Sequence, residues 1–342
     1  MILIPRHGRL IGTNLAKSSA SATLFTATGG VQGSRAVGGR IVFASVPSFN
    51  SRIWSVAVNH NSGRVLGAVE PLLQASGSQS VPVASLNGSK LLFTHQEPTR
   101  SELRLRDLGS GKETVLHAAT VRGKISPDGS KVAFTDNATI RLMDASGGEA
   151  TKVAEGSPLS LYGWTADGNF LIYYMGGSIR WFTFDLATRK STVLLAHPKL
   201  TIHGVEPSPD RRWVSFHIPN PVREPIYIAS VRDGMVAGES EWIRVADSAG
   251  VNRRPWWSPD GNLLYWLSER DGFVCAWALR LEPATKKPKG DPFAVLHFHE
   301  ARRSLAAVGL ASFGPAITRD KLIFALPEYS GNIWIAEKEA RK

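Results

Sequence analysis

Short apolar runs, each set behind a polar turn, recur from one end of the chain to the other. In WSPDGNLLYWLSERDGF, Trp257 to Phe273, Ser258-Pro259-Asp260-Gly261 suits a type I turn. Proline presets φ at the second position, aspartate can bond nearby amides, and glycine accepts the positive φ that often follows. Leu263 to Leu267 is then an apolar run of the length of a buried strand. No amphipathic helical pattern competes, so the expected class is all-β.

Aligned on the turn glycine, the copies bring Gly39, Gly88, Gly129, Gly168, Arg211, Gly261 and Asp320 into register, with separations of 49, 41, 39, 43, 50 and 59 residues. A four-stranded propeller blade has about this length, roughly 40–50 residues. After each turn come apolar residues at the period of two that a strand requires, as in Leu91/Phe93, Val132/Phe134 and Leu264/Trp266. A second strand follows (RIWSVAV, TIRLMDA, NIWIAE), then an outer one (ATKVAE, EWIRVAD). The expectation is a single domain over 1-342, one β-propeller of four-stranded antiparallel blades. Seven blades are predicted, with units near 38-86, 87-125, 126-165, 166-206, 207-256, 257-312 and 313-337; six or eight are the alternatives. The seventh unit lacks an outer strand, and ATLFTAT, Ala22 to Thr28, is a strand without a blade. Pairing them would close the ring and remove two exposed sheet edges. RLIGTNL, Arg9 to Leu15, reads as a further strand of the same kind. Because Asp128, Asp167, Asp210 and Asp260 share one turn position, backbone geometry explains them better than catalysis; Arg211 takes the place of the turn glycine.

Composition adds little to the fold but narrows the function. With 342 residues, 43% of them hydrophobic, the chain can bury a large core. No run approaches the roughly 18 apolar residues of a membrane helix. Pro5, Arg6 and His7 interrupt what could have been a leader, so a soluble chain is expected, periplasmic if cut from a membrane-anchored parent and otherwise cytoplasmic. The one cysteine, Cys275, has no internal disulfide partner and is expected inside a strand. A formal charge of +11 favours acidic partners in general. The basic residues are scattered, however, and no recognition helix, zinc finger or RNA-binding signature accompanies them, which argues against nucleic acid.

The turn-strand units from about Gly38 to Glu337 resemble the repeats of TolB-type β-propellers. Within them, WSPDGNLLYWLSERDGFVCAWALRL, DPFAVLHFHEARRSL, RDKLIF and GNIWIAE are similar to the C-terminal propeller of certain bacterial serine/threonine kinases and winged-helix regulators. That resemblance implies a region for binding a ligand or protein. The chain departs from the kinase pattern: it has no nucleotide loop ahead of a strand lysine, no His-Arg-Asp loop and no Asp-Phe-Gly, so no phosphoryl transfer is implied.

No Gly-x-Ser-x-Gly elbow supports a serine hydrolase. His297 and His299 in LHFHE could share one strand face as metal ligands, but the sequence offers no third ligand, so no metal and no cofactor are expected. His299, Glu300, Arg302 and Arg303 sit on the longest connection, a candidate ligand loop or a charged cap. The inner strand of a blade lines the central channel and immediately precedes the turn. Arg35, Arg122, Tyr162, His203, Arg253 and Arg254 enter those strands. Around one mouth they would form a cationic ring for carboxylates, phosphates or an acidic peptide, unless they pair with neighbouring acids. The functional expectation is a non-enzymatic binding or sensor propeller for a protein, peptide or small anionic ligand. A metal-dependent propeller hydrolase or lactonase and an assembly scaffold are the alternatives.

Overall fold

The computed structural model describes strand backbones along the chain and the side chains of residues 51–327, except 74–76, 119–121, 158, 177–179, 221–222, 247–251, 300–304 and 306–312. The chain divides into two compact units, Arg52–Leu326 and a second formed by Met1–Ser51 with Pro327–Lys342. The second unit contains a three-stranded antiparallel sheet, Ile2–Arg6, Arg9–Thr13 and Ser21–Thr26, and a strand Gly30–Val37 that pairs with the first part of Arg40–Asn59.

Residues Arg52–Leu326 form a six-bladed propeller, corresponding to the fold class expected but not the blade count. Blade 1 runs through Ser78–Ala84, Lys90–Glu97, Arg100–Asp107 and Glu113–His117. Blade 2 is Gly123–Ile125, Lys131–Asp136, Thr139–Asp144 and Thr151–Glu155; blade 3 is Leu159–Trp164, Phe170–Met175, Arg180–Asp185 and Ser191–Leu195. Blade 4 is His203–Pro207, Trp213–His217, Ile226–Arg232 and Ile243–Ala246; blade 5 is Asn252–Trp257, Leu263–Ser268, Cys275–Leu281 and Pro288–Leu296. Both faces of each sheet are covered, which is why the post-turn strands read as continuous apolar runs rather than alternating ones. Six apolar clusters fill the six gaps between neighbouring blades: Leu92 with Val132, Ala133 with Leu161, Ile172 with Val214, Ile226 with Leu264, Tyr265 with Phe324, and Ile323 with Phe93.

Blade 6 explains the miscount. It is assembled from Ala316–Ile317, the start of Lys321–Glu337, the latter part of Arg40–Asn59 and Glu70–Pro71, with Trp54 opposite Pro71 and the Val58 amide bonded to the Asp320 carbonyl at 2.9 Å. The two repeats read as the first and seventh blades therefore contribute to one. RIWSVAV is its third strand, and NIWIAE continues the Lys321 strand instead of starting a new one. The Gly39 copy has no serine or threonine before it and no acid, so it lacks the turn chemistry of the others. Nor is ATLFTAT the closing strand, since Ser21–Thr26 pairs with Arg9–Thr13; closure comes from the segment beginning at Arg52.

The turns themselves follow the sequence reading closely. In blades 2 to 5 a buried Ser126, Thr165, Ser208 or Ser258 donates to the aspartate two residues on at 2.5–2.6 Å. The same hydroxyl accepts the amide five residues on at 2.9–3.1 Å. Asn87 plays the aspartate's part in blade 1. In blades 1 to 5 the next position is left-handed, φ being 73° at Gly88, 76° at Gly129, 74° at Gly168, 58° at Arg211 and 68° at Gly261.

Candidate functional site

The inner strands enclose a cavity of about 280 Å³ in the propeller. An apolar collar made by the second residue of five turns, Leu86, Pro127, Ala166, Pro209 and Pro259, lines part of it. Lys124, Tyr162, Glu206 and Arg254 also line it, from four consecutive blades. All four are half-buried, as befits groups that face an internal channel while protein surrounds them.

Local backbone geometry aims these groups. In four inner strands the pairing slips between Ser80 and Val83, Leu161 and Gly163, His203 and Glu206, and Arg253 and Trp256. A bulge re-aims a side chain, and Tyr162 and Arg254 lie within two of these. Arg254 has φ of 54° and precedes Pro255; Val81 has φ of 51° and precedes Pro82. Gly204 and Gly314 hold the equivalent positions in blades 4 and 6 with φ of 66° and 50°. Arg254 is thus a large side chain placed where glycine would relieve strain, a feature characteristic of functional sites. Lys124 and Glu206 are held from behind: the Trp164 indole N–H donates to the Lys124 carbonyl and the Trp257 indole N–H to the Glu206 carbonyl, each at 3.0 Å.

Electrostatically the cluster is tense. Burial, helped by the Arg254 and Arg122 charges, pulls the Lys124 ammonium well below its usual range. Burial pushes the Glu206 carboxyl well above its own, although Lys124 and Arg254 oppose that shift. Burial likewise lowers Arg254 and raises the Tyr162 phenol. The Lys124 ammonium lies 5.8 Å from the Tyr162 ring centroid. Such a site can hold an anion between two cations, with Glu206 as a proton-bearing hydrogen-bond donor beside it.

Of the cationic ring expected from sequence, Tyr162 and Arg254 line this cavity, and the Arg122 charge acts on Lys124 and Arg254 without lining it. Arg253 and His203 belong to a separate group: Arg253 grips the buried Glu224 with two guanidinium nitrogens, and the His203 ring lies 5.8 Å from that of His217, tilted by 38°. Burial lowers the His217 imidazole to about 3, and with it His203. The expected alternative, pairing with a neighbouring acid, thus holds for Arg253. Arg35 falls on Gly30–Val37 in the other unit, and its side chain lies outside the described residues, as do Glu300, Arg302 and Arg303. Sequence reading missed Lys124 and Glu206. Both lie two residues before the turn Ser, where the other blades carry Val83, Gly163, Trp256 and Ala316, and a charge in that apolar setting was the available signal. His297 and His299 gather with Asp271 and Cys275 on blade 5, so ligands the sequence did not offer are supplied across a hairpin.

No family model matches the chain, and no curated protein matches it. Solved structures do. A putative TolB from Agrobacterium tumefaciens is 20% identical with a TM-score of 0.60, over 83% of this chain and 99% of that one. TolB from Acinetobacter baumannii is 17% identical with a TM-score of 0.52, over 84% of this chain and 66% of that one. An oligogalacturonate lyase from Vibrio parahaemolyticus is 14% identical with a TM-score of 0.50, over 81% of this chain and 84% of that one. At these identities the likeness concerns architecture, and the architecture is that of a TolB-type β-propeller.

Proposed function

We propose that the propeller is a binding module whose channel takes a carboxylate, carried by a small molecule or by the end of a peptide. One observation carries the reading: Lys124 and Arg254 face one cavity, and among the described residues no side-chain hydrogen bond or ion pair engages either of them. A ligand carboxylate between them would regain the Coulomb energy that burial removes. The apolar collar would cover the uncharged part of the ligand, and neutral Glu206 would donate to its second oxygen. Use as the sensor half of a longer protein, as in the kinase-linked propellers, is compatible with this role.

The test is thermal unfolding with acetate, with succinate and with a short peptide carrying a free or an amidated C-terminus. A ligand at 100 times its dissociation constant stabilises by about 2.7 kcal/mol. The free carboxylates should raise Tm and the amidated peptide should not; equal behaviour of the two peptides would refute the reading.

An enzyme is the second reading, and the Lys124 ammonium, lowered to about 8, favours it, because such a group can exchange a proton close to physiological pH. The lyase of the same fold acts, by its name, on an acidic sugar chain. Turnover of an oligogalacturonate that vanishes in Lys124→Met would support catalysis over binding alone. A channel metal is less favoured: among the described residues the one group of three or more metal-donor side chains is on blade 5, outside the channel.

A further inference from the structure

The strand pair that carries Cys275 ends beside the exit of the outer strand of blade 5. Leu296 and Phe298 are buried while His297 and His299 are exposed, so the two imidazoles stand on one face of extended chain. Asp271, in the hairpin between Leu263–Ser268 and Cys275–Leu281, reaches the same place. Its Oδ2 is 3.2 Å from His297 Nδ1 and 3.1 Å from His299 Nε2, and the two ring nitrogens are 3.2 Å apart. The donor atoms of Asp271, Cys275, His297 and His299 all lie within 4.8 Å of one another.

We propose that these four residues form a tetrahedral zinc site, separate from the channel. Nitrogen and oxygen ligands about 2.0–2.2 Å from a tetrahedral ion stand about 3.3–3.6 Å apart. The near-equilateral triangle of Asp271, His297 and His299 needs to open by only a few tenths of an ångström to make one face. The Cys275 sulfur, within 4.8 Å of the other three donors, supplies the fourth corner by closing to about 3.6 Å from them. Surrounding groups already orient the ligands as metal sites require. The Phe273 amide donates to Asp271 Oδ1 at 3.2 Å, leaving Oδ2 for the ion. The Phe298 amide donates to the Cys275 sulfur at 3.4 Å, and the His299 ring packs 4.3 Å from Phe273.

One thiolate, two imidazoles and one carboxylate suit zinc and disfavour magnesium or calcium, which take oxygen donors. Four protein ligands leave no open position, so the role is structural. The ion would pin the start of the long connection that follows His299 to the hairpin of blade 5.

The full chain, purified without added metal and then titrated with Zn²⁺ against a chromophoric chelator, should take up one equivalent. Replacement with Co²⁺ should give tetrahedral d–d bands together with a thiolate charge-transfer band, and the latter should disappear in Cys275→Ser. His297→Ala, His299→Ala and Asp271→Asn alter exposed side chains and should leave the circular dichroism spectrum unchanged. Each should weaken zinc by more than about 100-fold, the upper end of what loss of a mere supporting group costs. Either of two results overturns the proposal: folded wild type that binds no stoichiometric zinc, or zinc binding that survives the His297→Ala/His299→Ala double change.

Discussion

At the turns the same hydroxyl-to-carboxylate bonds recur blade after blade; two residues upstream, at the channel wall, Val83, Lys124, Gly163, Glu206, Trp256 and Ala316 show no two blades alike. The same inner strands supply both regions. What repeats is what every blade needs to reverse direction, so the turn serines and aspartates belong to the fold. What departs from the repeat, and tolerates burial or strain to do so, belongs to the site. The contrast extends to charge: hydrogen bonds from Ser126 and Ser130 hold the Asp128 carboxyl down to about 2, whereas burial pushes that of Glu206 up.

The largest expected effect comes from the channel. Lys124→Met should abolish the stabilisation of about 2.7 kcal/mol that a saturating carboxylate provides, while leaving the melting temperature of the free protein unchanged or higher, since an ammonium that its surroundings disfavour is replaced by an apolar group. A free-protein Tm that falls by several degrees would instead make Lys124 structural. Ser258→Ala tests the other region. It strips the buried Leu263 amide of its 2.9 Å hydroxyl partner and leaves Asp260 only its bonds from Asn262, so urea unfolding should show a loss of about 2 kcal/mol with a far smaller change in ligand affinity than Lys124→Met gives.

The two regions should also titrate with opposite sign. Asp128 is favoured as the anion, so its contribution is present above its ordinary value of 3.8 and is lost as pH falls toward about 2. Glu206 is favoured as the acid, so its contribution is present below 4.5 and is lost as pH rises toward neutrality. Urea midpoints against pH should flatten at the acid end in Asp128→Asn and near neutrality in Glu206→Gln; the same response in both variants would erase the distinction.

The smallest effect is at Arg211. Glycine would relieve its left-handed φ of 58°, worth about 1 kcal/mol. It would also remove a 3.0 Å ion pair to Asp167 and a guanidinium 5.1 Å over the Phe170 ring, together on the order of 1 kcal/mol. Arg211→Gly should therefore change stability by less than about 0.5 kcal/mol, and should become stabilising in an Asp167→Ala background.

This contrast also explains what was legible in the sequence. Turn chemistry is local, with every partner inside about six residues, so the architecture and even the left-handed Arg211 could be read from spacing. Blade number could not, because a pairing between residues near 58 and 320 decides whether the first and last repeats count once or twice. Arg122, Tyr162 and Arg254 could be placed at the inner strands because those strands precede turns. Lys124 and Glu206 were not singled out, since only the assembled blades show that they line one cavity with Arg254. Asp271 and Cys275 join the two histidines through a hairpin whose register no spacing rule supplies.

Blade 6 carries a consequence for synthesis. His60 contacts the Lys321 carbonyl across 261 residues of chain. At roughly 5–20 residues per second, the strand that begins at Arg52 emerges from the ribosome about 15–50 s before the strand it must join. Over that interval Trp54, Val56 and Val58 have no blade to enter. Nascent chains stalled between blade 1 and blade 5 should therefore be captured by chaperones that bind extended apolar segments, and release should coincide with the appearance of Leu322–Leu326.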